Sequence, residues 1–502
     1  MKKILLILFI LLPLIAKDSI VIAVENEPTR LNPVFSEDHD SVLALIFSGL
    51  TRFNDDMSLE PDLAKSWTIS KDGLVYEFEL RNDVFWHDGV KFSAKDVEFT
   101  LNTLLDKKLL APSKDNFKDI KKVEVLSDTK VRITLSKPFP PLLDALSLGM
   151  LPKHILQKED INKAKFNQKP IGTGPYKLKI WKKGYFTELE ANDKFYLGKV
   201  KTKKLILKHI KDPKIAATEL KSNLVDVALI DYEVLKDFQN DKNFKVNIEK
   251  SADYRALMFN FNNKFLKDIN VRKALNYAVD KESIVNNLLH NLGFVANHPL
   301  ENSWAVGKQF KSTYEYDLNK ADEFLQKAGF KKNKNGIYEK NGEILEFEIY
   351  TMSNDPLRVA LTQVILSEFK KLGVVAKGIA KPAGSFDYTR IDSFLVGWGS
   401  PYDPDFHTYR VFASEKDWNF GHYSDKEVDK SLNLARNTLD KEERKKEYLN
   451  FVKALDENPA FIFIAYIDYP VVFRKGINGV KNYILGHHGV GFAYNAWEWS
   501  ID

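Results

Sequence analysis

Among the 502 residues there is no cysteine. No disulfide can staple this chain and no thiolate can hold a metal in it, so apolar burial has to secure every part of the fold. A chain of this length exceeds what one core organises, and two or three domains are expected. Hydrophobic residues at 44% and charged residues at 28% are ordinary for a globular protein. The net charge of +5 is spread over 69 acidic residues without a basic stripe, which excludes a nucleic-acid footprint.

The segment MKKILLILFILLPLIA (1–16) places two lysines before an apolar run from Ile4 to Ile15, with Ala16 as the small residue after it. That pattern reads as a cleaved secretory signal peptide, and the run is short for a bilayer span. Without a cysteine the mature chain cannot be lipid-anchored at its start. The expectation is a free, monomeric periplasmic protein.

Strand and helix signals alternate from there on. VYEFELR (75–81) alternates as a half-buried strand, and KVEVLSDTKVRITLS (122–136) as a hairpin. SVLALIFSGL (41–50) reads as an apolar helix ending at Gly49, and SAKDVEFTLNTLL (93–105) as a helix capped by Ser93. VRKALNYAVDKESIVNNLLH (271–290) reads as two helices with Asp280 capping the second, and Arg272 and Lys273 on a solvated face. LRVALTQVILSEFKKLGV (357–374) is a long helix stopped by Gly373, and AFIFIAYIDYPVVF (460–473) a buried strand pair. Such alternation points to α/β lobes.

Catalytic frames are missing. GTGPY (172–176) lacks the Lys-Ser/Thr pair that would hold phosphate and magnesium, and no nucleophile elbow or His-x-x-x-His spacing occurs. Binding is the better class, with a secreted hydrolase behind it. The feature that asks for a ligand is ILGHHGVG (484–491), where His487 and His488 stand between glycines. On a strand the two rings would point apart, whereas a glycine-freed turn lets them converge. The residues alone leave a metal site and a polar loop both open.

Several blocks stand in one order: LNP (31–33), EPDLAKSW (60–67), LRNDVFWHDGVKFSAKDVEFTLN (80–102), PIGTGPYKL (170–178) and VRKALNYAVDKESIV (271–285). In these the chain resembles the extracellular solute-binding proteins that serve ABC importers of peptides and nickel. The resemblance implies a two-lobed clamp of the class II-like, peptide/nickel type with a hinge between the lobes. Lobe one would hold 17–255 with 476–502 returning to it, and lobe two 256–475. It also implies no catalysis, no catalytic cofactor, and a permease of the importer as partner. His87, in the WHDG turn common to members of differing specificity, is expected to be structural.

WGSPYDPD (398–405) resembles a segment of the nickel-binding branch, so Trp398 and Tyr402 are expected to line the ligand pocket. Other marks of that branch are absent. Asn102 and Thr103 stand where an arginine is expected, 146–155 holds no arginine, and the loop VFASEKDWNFG (411–421) holds no histidine before His422. The expected ligand is therefore a nickel chelate, with amino acids such as histidine, held by His487, His488 and His39, since imidazole suits nickel. Arg255 and Arg358 are the candidates to grip a chelator carboxylate. The alternative is a di- or oligopeptide whose amine is held by Asp403 or Asp405.

Overall fold

The computed structural model describes residues 18–36 and 42–502. The expected leader and His39 lie outside the described residues. Two mixed sheets organise the chain. The first has seven strands in the order Phe244–Glu249, Tyr469–Arg474, Val227–Leu229, Ser19–Val24, Lys204–His209, Phe186–Ala191 and Tyr176–Lys182. Ser19–Val24 runs parallel to both of its neighbours. The second has six, in the order Gly293–Val295, Phe461–Ile467, Tyr254–Phe259, Ser393–Trp398, Glu346–Met352 and Val375–Lys381. Central strands such as Tyr254–Phe259 and Phe461–Ile467 are buried at every position, because helices or loops cover both faces. Each sheet carries its own apolar cores.

A four-stranded antiparallel sheet, 64–135, packs into the core of the first lobe. Its hairpin, Ile120–Ser127 with Lys130–Leu135, and the helix Ala94–Leu105 follow the sequence expectation. Ser93 N–H donates to Asp96 Oδ2 at 2.9 Å, closing the N-terminus of that helix. Among the described residues no helix is long and apolar enough to cross a membrane.

The chain crosses between the two sheets at 249–254 and again at 467–469. The expected strand pair 460–473 is thus two strands of different sheets, Phe461–Ile467 and Tyr469–Arg474, joined by Asp468 alone. Three other expectations need correction. Of the expected helix 41–50, the described residues 42–50 hold one helical turn, Leu43–Ile46. The backbone then leaves the helix so that Gly49 can pass against the carbonyl of Ser147, 2.4 Å from where a Cβ would sit. The second helix of 271–290 is a short turn, Lys281–Ser283, that continues as a π turn, Ile284–Leu288, with Asp280 accepting from Ser283 N–H at 2.9 Å. Arg272 is not solvated. It is 2% exposed, and its guanidinium donates to the carbonyls of Leu266, Lys267 and Pro459 at 2.8–2.9 Å.

His87 is the pin of the GTGPY segment. Gly172 N–H donates to its Nδ1 at 3.1 Å, so Nε2 carries the proton and donates to the Gly174 carbonyl at 3.0 Å.

Candidate functional site

A cleft of about 570 Å³ opens between the two sheets. One wall comes from the carboxyl end of Ser19–Val24, the segment 210–216 and the turn 488–492; the other comes from Arg255, the loop 352–356 and the start of the helix Pro356–Leu372. Carboxyl ends of parallel strands are where α/β sheets leave room for ligands, because neighbouring connections diverge there.

At its base lies Asp253, wholly buried. Oδ1 accepts from the Arg255 guanidinium and from His487 Nδ1, the latter at 2.9 Å. Oδ2 accepts from the Tyr469 hydroxyl and, at 3.2 Å, from the backbone N–H of His488. Burial by itself would raise its pKa, but Arg255 and then His487 outweigh that and hold the carboxyl well below its usual range. Asp253 and Arg255 meet because residues two apart on a strand share a face.

The opposite wall repeats the device on a helix. Asp355 caps Pro356–Leu372, accepting from Arg358 N–H at 3.0 Å, and its other oxygen pairs with Arg358 Nε at 2.8 Å. Arg255 Nη2 lies 3.9 Å from the same carboxylate. The two buried arginines thus face two aspartates, Asp253 buried and Asp355 partly exposed.

The histidine pair reaches this base on a tight turn. Leu485 bridges Ser251, and the chain then turns over Gly486 with His488 in the left-handed region at φ 57°. Gly489 follows at φ 73°, where a Cβ would lie 2.7 Å from the Leu229 side chain. This geometry brings the two rings to 3.9 Å between centroids. Because His487 donates from Nδ1 to Asp253, its Nε2 carries the lone pair and accepts from Arg358 Nη2 at 3.2 Å. Burial is the main cause that pushes His487 down to about 4, against the pull of Asp253. Burial and then the neighbouring His487 push His488 down to about 2. Both rings are neutral at physiological pH, and a Lewis acid that reaches His487 Nε2 has to displace the Arg358 hydrogen bond there.

Glu25 completes the wall, its Oε2 3.8 Å from His488 Nδ1. Partial desolvation, followed by the Asp355 charge, pushes its carboxyl up to about 7. Among the described residues, no group of three or more His, Asp or Glu is arranged to hold a metal ion unaided.

The structure therefore brings Arg255, Arg358, His487 and His488 together. Trp398 and Tyr402 stand elsewhere. Trp398 ends its strand and packs near the rings of His407, Phe420 and Phe461 at 5.8–6.1 Å. Tyr402 lies against Phe53 at 4.6 Å, hydrogen-bonds the Tyr494 hydroxyl at 2.7 Å, and lines a separate pocket of about 160 Å³. Asp403 is held by Arg444 through two bonds of 2.7 and 2.8 Å, and Asp405 by Arg436 at 3.1 Å. The sequence reading missed Asp253, Asp355, Tyr469 and Glu25. The D-P-x-R of a capped helix start and the D-x-R of one strand face were the available signals.

The family model of bacterial extracellular solute-binding proteins, family 5 (middle), matches residues 58–420. The chain belongs to this family. It is a binding protein of transport, not an enzyme, and its architecture is the family's two-lobed α/β fold. The crystal structure of NikZ from Campylobacter jejuni in complex with Ni(L-His) is 62% identical, with a TM-score of 0.91 over 97% of this chain and 100% of that one. The oligopeptide-binding protein AppA from Bacillus subtilis, solved with a nonapeptide, is 28% identical, with a TM-score of 0.84 over 96% of this chain and 99% of that one. The nickel-binding periplasmic protein of Escherichia coli K12 is 26% identical over 482 residues, which are 93% of this chain and 92% of the relative.

Proposed function

We propose that the protein is the periplasmic receptor of an ABC importer, that it captures a nickel chelate with amino acids such as histidine, and that it hands the chelate to a membrane permease. The observation that carries this reading is the neutral imidazole of His488 on the interlobe cleft, with the His487 ring packed against it and its Nε2 accepting from Arg358 Nη2 at 3.2 Å, a bond that a metal can displace. Two protein nitrogens leave a nickel ion short of a full shell, and a small chelator supplies the remaining donors. The likeness to a protein solved with Ni(L-His) supports the same ligand class. Arg255 and Arg358 order the turn and its aspartates and offer their outer N–H groups to a chelator carboxylate. The mature chain starts near Lys17, acts as a monomer, and hinges at 249–254 and 467–469, the two crossings between its sheets.

The peptide reading has weaker support in this chain. Asp403 and Asp405, its candidates for an amine, are buried against Arg444 and Arg436.

Calorimetric titration tests the assignment. Nickel with histidine should bind the parent, peptides without metal should bind far more weakly, and His488→Ala should lower nickel–histidine affinity by at least about tenfold, the equivalent of losing one good polar contact. Retention of parental affinity in both His488→Ala and His487→Gln would return the turn to a structural role and put peptides first.

A further inference from the structure

The nickel reading leaves the charge of the cargo open. The charges of the cleft bear on that question, and an answer drawn from them rests on the nickel reading itself. Most of these charges are already matched inside the protein. Arg255 is matched by Asp253 and Asp355, and Arg358 by Asp355. On the rim Lys214 pairs with Glu233, and Asp468 pairs with Lys250. Asp212 caps the helix Pro213–Lys221 through the N–H groups of Lys214 and Ile215, whereas Asp231, which precedes the helix Tyr232–Gln239, makes no side-chain capping bond and lines the same cleft. His487 and His488 are neutral. The carboxylate that remains against the binding atoms is Glu25. Among the described residues, no lysine or arginine lies within ion-pair distance of it, although Lys211 lines the same wall.

We infer that Glu25 is the specificity-determining anion of this cleft and that it selects a chelate of net positive charge. The nickel complex with one histidine anion is singly positive; the complex with two is neutral. A metal held by His488 lies beside Glu25, because the two side chains are 3.8 Å apart. The Glu25 side chain is 48% exposed in this structure; once ligand and lobe closure cover it, a charge at that range is screened far less than on the surface. The arginines, neutralised by their aspartates, do not cancel the preference. The one-to-one complex is therefore favoured over both the bis-histidine complex and free histidine.

The experiment titrates nickel into the intact protein with L-histidine at equimolar ratio and in large excess, near pH 8. The parent should bind more tightly at the equimolar ratio. Glu25→Gln keeps the shape and removes the charge. It should weaken binding of the equimolar complex by about tenfold while changing the excess-histidine affinity by less than about twofold, and Glu25→Asp should restore part of the loss. Circular dichroism and melting of the variants establish that they are folded. Equal losses at both ratios, no loss at either, or a parent that prefers excess histidine would overturn the assignment to Glu25 while leaving the nickel reading standing. A parent that binds nickel–histidine at neither ratio overturns the nickel reading and this inference with it.

Discussion

Asp253 shows how one carboxylate can organise a site without meeting the ligand. It fixes the tautomer of His487, ties down the His488 backbone and neutralises Arg255, all from a position sealed off from water. Its role was hard to read beforehand, because a lone aspartate before a tyrosine carries no local pattern. The histidine pair and both arginines were legible for a different reason: rare or bulky charged groups beside turn signals stand out. Arg272 misled because a charge near a helix start is usually solvated, while here its partners are carbonyls from distant segments. His87 was legible through its turn, and its burial gives a pH test. Burial pushes it down to about 4, from an unfolded value of about 6.5. As pH falls through 6.5 the unfolded chain takes up a proton that the folded chain refuses, so this histidine's contribution is complete above 6.5 and is lost progressively down to about 4. His87→Gln should therefore be destabilised most at pH 7.5. Its gap to the parent, read by urea unfolding, should narrow by at most about 1.4 kcal/mol per pH unit on acidification. A gap independent of pH would mean that His87 titrates alike in the folded and unfolded chains.

Elements were read well where periodicity is strong and poorly where packing overrides it. The helices Ala94–Leu105 and Pro356–Leu372 lie where caps and apolar spacing put them. The run 42–50, Ala44 excepted, is enclosed by the first core, and such a run has no helical face to report. The glycine motif at 172–174 has the look of a phosphate loop, yet it serves close backbone contact. A Cβ on Gly172 would stand 1.9 Å from the Ile46 carbonyl oxygen, and one on Gly174 2.7 Å from the same atom. Gly172→Ala should thus cost about 3 kcal/mol or more, since backbone has to move to admit it. An alanine at Gly184, where a Cβ meets nothing within 4 Å but φ is 76°, should cost nearer 1 kcal/mol. Thermal melts of the two variants check the ordering, and equal losses would refute the packing account.

Across the whole molecule the two lobes meet on opposite sides of the cleft. The 398–405 loop of one sheet reaches the other lobe through Tyr402 to Tyr494 and through Asp403 N–H to Asp144 Oδ1 at 2.9 Å. Burial and then the Asp403 charge raise the Asp144 carboxyl well above its usual range. These contacts hold the lobes together beside the histidine turn, where Pro401 packs against Gly486, so Tyr402→Phe should speed release of nickel–histidine by a few-fold with little change in capture. Small-angle scattering should show the parent compacting on saturation, and an unchanged radius of gyration would count against hinge closure. The clamp was legible through the order of its motifs; the loop's role as a lobe-to-lobe contact was not, since a tertiary contact between distant segments leaves no mark in local sequence. The crossing at Asp468 has a consequence for biosynthesis. Tyr469–Arg474 inserts between Phe244–Glu249 and Val227–Leu229, so the first sheet stays split until residue 474 has been made. The lobe that begins the chain is completed only when nearly all of it has emerged, and a ribosome or translocon handling this protein holds an unfinished sheet with open edges until the final moments.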